Sequence, residues 1–230
     1  MAHEEPVNPF QQLTTDADHD VLIPAQIPTI HRTSSFTFEG LAGPILLHED
    51  ASGGCGGKTW EAANIMCDHL IWKHAQTDGE LFRGKTVLEL GAGTGLVGLM
   101  VGKLCREEVT KIIITDQMCV YQSPMLELME ANLRLNKLES CIDVKELNWQ
   151  VLSLAISMGE PTQSMIPFVP DIILASDCVY LEAAFEPLVI TLADLATLDT
   201  TIFLSYRKRR KADKRFFNIL KKRFDFVEVS

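Results

Sequence analysis

Val87-Leu88-Glu89-Leu90-Gly91-Ala92-Gly93-Thr94-Gly95-Leu96-Val97-Gly98 passes from an apolar run with one acid, through three glycines at alternate positions, into residues that suit a helix. Its physical reading is a buried parallel strand, a tight turn and a helix N-terminus. Glycines in such a turn let the backbone come close to a ligand where a Cβ would stand in the way. The spacing is G-x-G-x-G. A dinucleotide turn needs G-x-G-x-x-G, and Leu96 stands where its third glycine would be. No Lys-Ser or Lys-Thr follows the turn, so a triphosphate cradle is missing too. A ligand with an adenosine and a positive centre fits better.

From Lys85 onward apolar runs alternate with helical patterns. Strands are predicted at 85–90, 111–116, 142–147, 171–176 and 200–206, with a final strand over 225–229. Helices are predicted at about 95–105, 123–136, 182–197 and 213–223. This alternation implies an α/β fold, a parallel doubly wound sheet with helices on both faces. Upstream, Ser35–Phe38 and Ile45–Leu47 predict a short hairpin around Gly40 and Gly43. Gly53-Gly54-Cys55-Gly56-Gly57 is a flexible loop, and an amphipathic helix is predicted from Thr59 to Lys73. Residues 1–33, with four prolines among polar residues, read as a loosely ordered segment, and 34–230 as one domain.

The chain has 230 residues, 47% of them hydrophobic, enough for a sizeable core. No apolar run approaches the roughly 18 residues that span a bilayer, and the polar N-terminus does not read as a signal peptide. Six cysteines occur without a C-x-x-C pair. That argues against a zinc site or a disulfide framework and for a reducing compartment, the cytoplasm or the nucleus. The net charge of −10 is unevenly spread. Residues 207–230 hold ten Lys/Arg and three Asp/Glu, a local +7, against −17 in residues 1–206. An acidic body disfavours nucleic acid and favours a basic partner or a cationic side chain; ordinary solubility is the plain alternative.

Lys111-Ile112-Ile113-Ile114-Thr115-Asp116 ends in a carboxylate about 20 residues after the turn, where an acid accepts both ribose hydroxyls. A carboxylate at a strand end is otherwise a helix cap. Together, Glu89–Gly95 and Asp116 resemble the class I, seven-β-strand methyltransferases, which have a Rossmann-like fold and use S-adenosylmethionine. Asp177-Cys178-Val179-Tyr180 is similar to the D-x-x-Y motif of the family 16 protein-lysine methyltransferases. The Trp60 helix, Leu147-Asn148-Trp149 and the run Ser205 to Asp213 match as well. The ordered set most resembles the fungal lysine methyltransferases that act on translation elongation factor 1-alpha, over roughly residues 35–230.

The resemblance implies a role for each residue. Gly91, Ala92 and Gly93, preceded by Glu89, would border the methionine end of the cofactor, and Asp116 would hold the ribose. Trp149 would lie against the adenine, Trp60 would close over the cofactor, and Ala175 would leave room beside the sulfonium. Trp60 and Trp149 are otherwise core aromatics. Methyl transfer to lysine is a direct displacement needing no metal, but the amine must be neutral, and free lysine titrates near 10.4. Asp177 would orient the incoming lysine and Tyr180 would supply a phenolic acceptor and an aromatic wall. The plain alternative for Asp177 is a cap on a helix beginning near Leu181.

The basic run 207–215 reads as a nuclear localisation signal, an RNA contact or a solvated helix start flanking the substrate channel; its position beside an apolar strand and Phe216-Phe217 suits the last. The seven-strand fold ends with a strand inserted antiparallel beside the fifth. The sequence stops after its sixth, so that strand is expected to be missing and 200–206 to be an exposed edge. A monomer acting on a protein substrate, with no membrane association, is expected. Two alternatives stand beside the lysine enzyme. One is a methyltransferase for another protein residue, a small molecule or RNA; the other is an inactive module that keeps the fold as a binding scaffold.

Overall fold

The computed structural model describes residues 32–51, 55–117, 124–157, 166–211 and 213–229. The loosely ordered segment expected at 1–33 lies, except for its last two residues, outside the described residues. An antiparallel hairpin comes first, β1 (Arg32–Phe36) against β2 (Ile45–Glu49). Then follow α1 (Glu61–Gln76), β3 (Thr86–Leu90), α2 (Leu96–Leu104), β4 (Lys111–Asp116), α3 (Pro124–Asn136), β5 (Ile142–Glu146) and α4 (Trp149–Ser157). The chain continues with β6 (Ile172–Ser176), a short 3₁₀ turn at Glu182–Ala184, α5 (Phe185–Leu195), β7 (Thr201–Ser205) and α6 (Asp213–Leu220).

The five later strands form one parallel sheet in the order β5-β4-β3-β6-β7. Side chains alternate between its faces, as the period of two requires. Val87, Ile112, Ile114, Ile172 and Leu174 pack with α1, α2, α3 and β2. Leu88, Leu90, Ile113, Ile173 and Ala175 pack with α4, α5 and α6. With both faces covered, the strands read as nearly unbroken apolar runs, which is why they are legible in the sequence.

The strand order reverses at β3: β4 lies on one side and β6 on the other. In such sheets the crevice beyond the carboxyl ends of the strands at the reversal takes the ligand. Every strand of the sheet ends near it, β3 running into Gly91, β4 into Asp116, β5 into Trp149, β6 into Asp177 and β7 into Tyr206.

Three elements differ from the sequence expectation. Residues 225–229 form no strand. Their alternation is real, but it presents no ladder: the exposed Phe226 ring rests 5.8 Å from Phe217 of α6, while Val227 and Val229 face solvent. Helix α6 ends at Leu220, and Lys221-Lys222-Arg223 continue as a turn, the Lys221 amide donating to the Phe217 carbonyl at 3.0 Å. A helix absent from the sequence reading, α4, starts at Trp149, where Asn148 Oδ1 accepts from the Gln150 and Val151 amides at 3.1 and 3.3 Å, an N-cap. Among the described residues, nothing pairs with the outer edge of β7.

Candidate active site

The glycine turn is held open by its neighbours. Gly91 and Gly93 both have left-handed backbones, φ +60° and +56°. The Ala92 amide donates to the Thr115 carbonyl (2.9 Å) and the Gly93 amide to Asp116 Oδ2 (2.8 Å). Asp116 Oδ1 accepts from the Gln117 amide at 2.7 Å. Asp116 is therefore fastened to the turn and does not cap a helix. Burial pushes its carboxyl up, and the two amides pull the other way. Each oxygen keeps a further lone pair, as an acceptor of ribose hydroxyls needs.

Glu89 and Ala175 take part from beneath. Glu89 is 1% exposed, with Oε2 accepting from the Gly98 amide at 2.8 Å inside α2 and Oε1 without a hydrogen-bond partner. Burial first, and the nearby Asp116 charge, raise its pKa to about 8, so it is neutral in the folded protein at pH 7. Gly98 permits the contact: a Cβ there would sit 2.3 Å from Ile114 Cγ2. Ala175 is fully buried in β6, beside Leu90 and Leu204. Neither lines an open surface.

The two tryptophans flank the turn. A Cβ on Gly91 would meet Trp149 Cζ2 at 3.1 Å and Cys178 Sγ at 3.0 Å. The indole of Trp149 thus lies on the turn, and its buried Nε1 has no hydrogen-bond partner. Trp60 donates from Nε1 to the Cys55 carbonyl at 2.9 Å. The glycine loop itself reaches the turn: a Cβ on Gly93 would be 2.7 Å from the Gly56 carbonyl oxygen.

The Asp177–Tyr180 segment leaves the end of β6. Asp177 has a left-handed φ of +57°, uncommon for a residue with a Cβ and held here by surrounding structure. Its amide donates to the Ser205 carbonyl at 2.8 Å. It caps no helix: Leu181 precedes the 3₁₀ turn without a side-chain cap. Its carboxylate, on a residue 8% exposed, accepts a bidentate pair from Arg209, Nη1 to Oδ1 and Nη2 to Oδ2, both at 2.6 Å. The same guanidinium lies 5.3 Å from the Trp60 ring centroid. Tyr180 shares a hydrogen bond with the Cys55 thiol, and burial pushes its phenol well above the usual range, so it stays protonated.

Eight of the ten expected residues therefore meet at one crevice, with Glu89 and Ala175 supporting it from the core. The sequence reading missed Cys55 and Gly56 as contacts, and Arg209 as the partner of Asp177. The signal for Arg209 was the run 207–211 itself, because a buried carboxylate demands a nearby cation. Among the described residues no three His, Cys, Asp or Glu side chains are grouped as metal ligands.

The site suits S-adenosylmethionine on its own geometry: a left-handed glycine turn at the end of the central strand, a strand-end carboxylate with lone pairs to spare, and an unspent buried indole N–H beside them. Fold and site define the class, an S-adenosylmethionine-dependent methyltransferase with a Rossmann-like sheet. The model of the lysine methyltransferase family matches residues 42–223, and the chain belongs to that family. It is 36% identical over 224 residues to the protein-lysine N-methyltransferase EFM6 of Saccharomyces cerevisiae, covering 92% of this chain and 88% of that one. It is 35% identical over 179 residues to the protein N-lysine methyltransferase METTL21A of Danio rerio, covering 76% and 72%. Among solved structures, SMU.776 complexed with SAH superposes at a TM-score of 0.53 over 90% of this chain and 50% of that one; at 14% identity this speaks for the fold alone.

Proposed function

We propose that this protein-lysine N-methyltransferase acts in the cytoplasm, as a monomer, on a lysine of translation elongation factor 1-alpha. Asp177 anchors and aims the incoming lysine, and Tyr180 walls its stem. The observation that carries the site assignment is the position of Asp177 and Tyr180 at the end of β6, the strand next to the glycine turn, with Cys178 between them close to Gly91. The target rests on the ordered motif set that resembles the elongation-factor enzymes. The acidic body of the chain suits a basic partner.

When bound, S-adenosylmethionine supplies an electrophilic methyl group on a sulfonium. The protein's part is to present a neutral amine in line with it. Asp116 would hold the ribose, the glycine turn would border the methionine end, and Trp60 and Trp149 would shut out water. Desolvation and the nearby sulfonium disfavour the ammonium while the Asp177 carboxylate favours it, so the proton leaves to solvent as the lysine enters and the amine is neutral when it meets the methyl group. Asp177 holds the nitrogen in place, and alignment supplies much of the acceleration. The neutral Tyr180 phenol serves as a hydrogen-bonding wall and not as a base.

The test is labelled S-adenosylmethionine with purified elongation factor 1-alpha and, in parallel, with whole-cell lysate, followed by mass-spectrometric mapping. Label is expected on a lysine of the factor. Asp177→Asn should lower that labelling roughly 100-fold while calorimetry still detects SAH binding. Label on a different lysate protein and none on the factor would overturn the target; full activity of Asp177→Asn would overturn the anchor.

A further inference from the structure

Asp177 and Trp60 offer what a substrate lysine needs, a buried carboxylate for the nitrogen and an aromatic face for the cation. Both are already engaged by one residue, Arg209, through the bidentate pair at 2.6 Å and the ring contact at 5.3 Å. The geometry points to Arg209 as a resident stand-in for the substrate: it fills the lysine position in the substrate-free protein and is exchanged for the lysine when the target protein docks. The inference rests on Asp177 being the lysine anchor proposed above.

Three features support exchange. The pair is nearly enclosed, with the Arg209 side chain 20% and the Asp177 side chain 7% exposed, so an empty site would strand a buried charge. Replacing one cation by another keeps the Asp177 charge answered during the exchange itself, before the lysine gives up its proton. The strap that carries Arg209 is fastened without its guanidinium: the Arg209 and Arg210 amides both donate to Asp213 Oδ2, at 2.9 and 3.0 Å. Arg210 donates to the Tyr180 carbonyl, and Arg207 pairs with Glu61 at 2.7 Å. These bonds hold the backbone of the strap when the Arg209 side chain leaves, which has the Asp177 pair, the Trp60 face and a long 3.5 Å contact to the Arg207 carbonyl to give up.

A groove of about 340 Å³ adjoins the strap and runs between it and the start of α1, lined by Glu61, Ala62, Ile65, Tyr206, Arg207 and Lys208. Glu61, directly after Trp60, puts a carboxylate on its wall. Arg209 is a positioning residue in this scheme. It sets which cation Asp177 accepts, and it makes entry conditional on a substrate that binds tightly enough to displace a bidentate guanidinium.

The experiment needs no methyl transfer and no knowledge of the target. SAH-loaded protein is titrated with n-butylammonium, which has the lysine head and stem, and binding is read by saturation-transfer NMR. Arg209→Met, which keeps the packing on Trp60 but removes the charge, should bind the probe at least tenfold more tightly than wild type. Arg209→Lys, which keeps a cation, should stay within about threefold of wild type. Equal binding by Arg209→Met and wild type, or tight binding by Arg209→Lys, overturns the exchange. Should Arg209→Met fail to fold, wild-type protein answers alone. The Arg209 Nη–H resonances, slowed in exchange by the pair with Asp177, should shift and lose protection as butylammonium is added, and unmoved resonances at saturation overturn the proposal. The labelling assay above reports separately on whether the anchor and the target are right.

Discussion

A methyl group on Gly93 would stand 2.7 Å from the Gly56 carbonyl oxygen and would be carried on a backbone at φ +56°. Both faults are backbone faults, so no side chain can turn away to relieve them. Gly93→Ala must therefore push the 55–57 loop off the turn, or tilt the turn and break the Gly93 amide bond to Asp116. Either movement disturbs the cradle that the turn and Asp116 form for the cofactor. We expect SAH affinity to fall by roughly tenfold or more, since about 1.4 kcal/mol is enough for that. Calorimetry on the purified variant checks it, and an unchanged affinity would mean that the loop contact is incidental. The same residue-scale logic separates Asp177 from an ordinary capping aspartate. It bonds no helix amide, it adopts a left-handed backbone, and its charge is answered by a guanidinium 32 residues on.

Between elements, the hairpin is joined to the site by two asparagines one turn apart on α3. Asn136 Oδ1 accepts from the Leu46 amide (3.0 Å) and its Nδ2 donates to the Leu46 carbonyl (2.7 Å). Asn132 does the same for His48, at 2.7 and 3.1 Å, so their amides act as a surrogate strand along β2. Only Asn132 goes on to donate to the Thr94 carbonyl inside the glycine turn, at 2.9 Å. Removing either side chain leaves buried backbone groups unbonded, at about 1–3 kcal/mol. Asn136→Ala should lower the melting temperature and leave SAH affinity within about twofold. Asn132→Ala should lower both, and equal SAH affinity in the two variants would refute the link. None of this was legible in the sequence. Side-chain-to-backbone bonds across 84 and 90 residues leave no periodic trace, whereas Val87–Leu90 or Ile112–Ile114, buried on both faces, announce themselves as apolar runs. For the same reason the alternation at 225–229 misled: it is a pattern along the chain, and says nothing of whether a neighbouring strand is there to bond. The residues singled out in the sequence could be named because motif spacing is local, and Arg209 was missed because its meaning depends on β6 and β7 lying side by side.

Over the whole molecule, the ionisable groups pull stability in opposite directions as pH changes. Glu89 sits in the central strand, where burial raises it from an ordinary 4.5 to about 8. It is protonated when folded and ionised when unfolded at neutral pH. Its share of stability is therefore full below about 4.5 and is lost as pH rises towards 8. Asp116, also raised by burial, acts in the same direction. Glu49 and Asp171 act the other way. Burial alone would push Glu49 up, but hydrogen bonds from Arg32, Ser34 and the Thr59 amide bring it below its ordinary value. The Thr86 amide leads in lowering Asp171. Their contributions are present above the ordinary carboxylate range and are lost as pH falls through it. The melting temperature should accordingly peak at roughly pH 5–6 and decline on both sides. The alkaline decline belongs mainly to one side chain, which gives the argument its test. Glu89→Gln keeps an acceptor for the Gly98 amide and cannot ionise. Its melting temperature should stay flat between pH 6 and 8.5 while wild type falls by at least about 5 °C over that range. Parallel curves for the two proteins would mean that Glu89 is ionised in the folded state, with its unpartnered Oε1 reaching solvent after all.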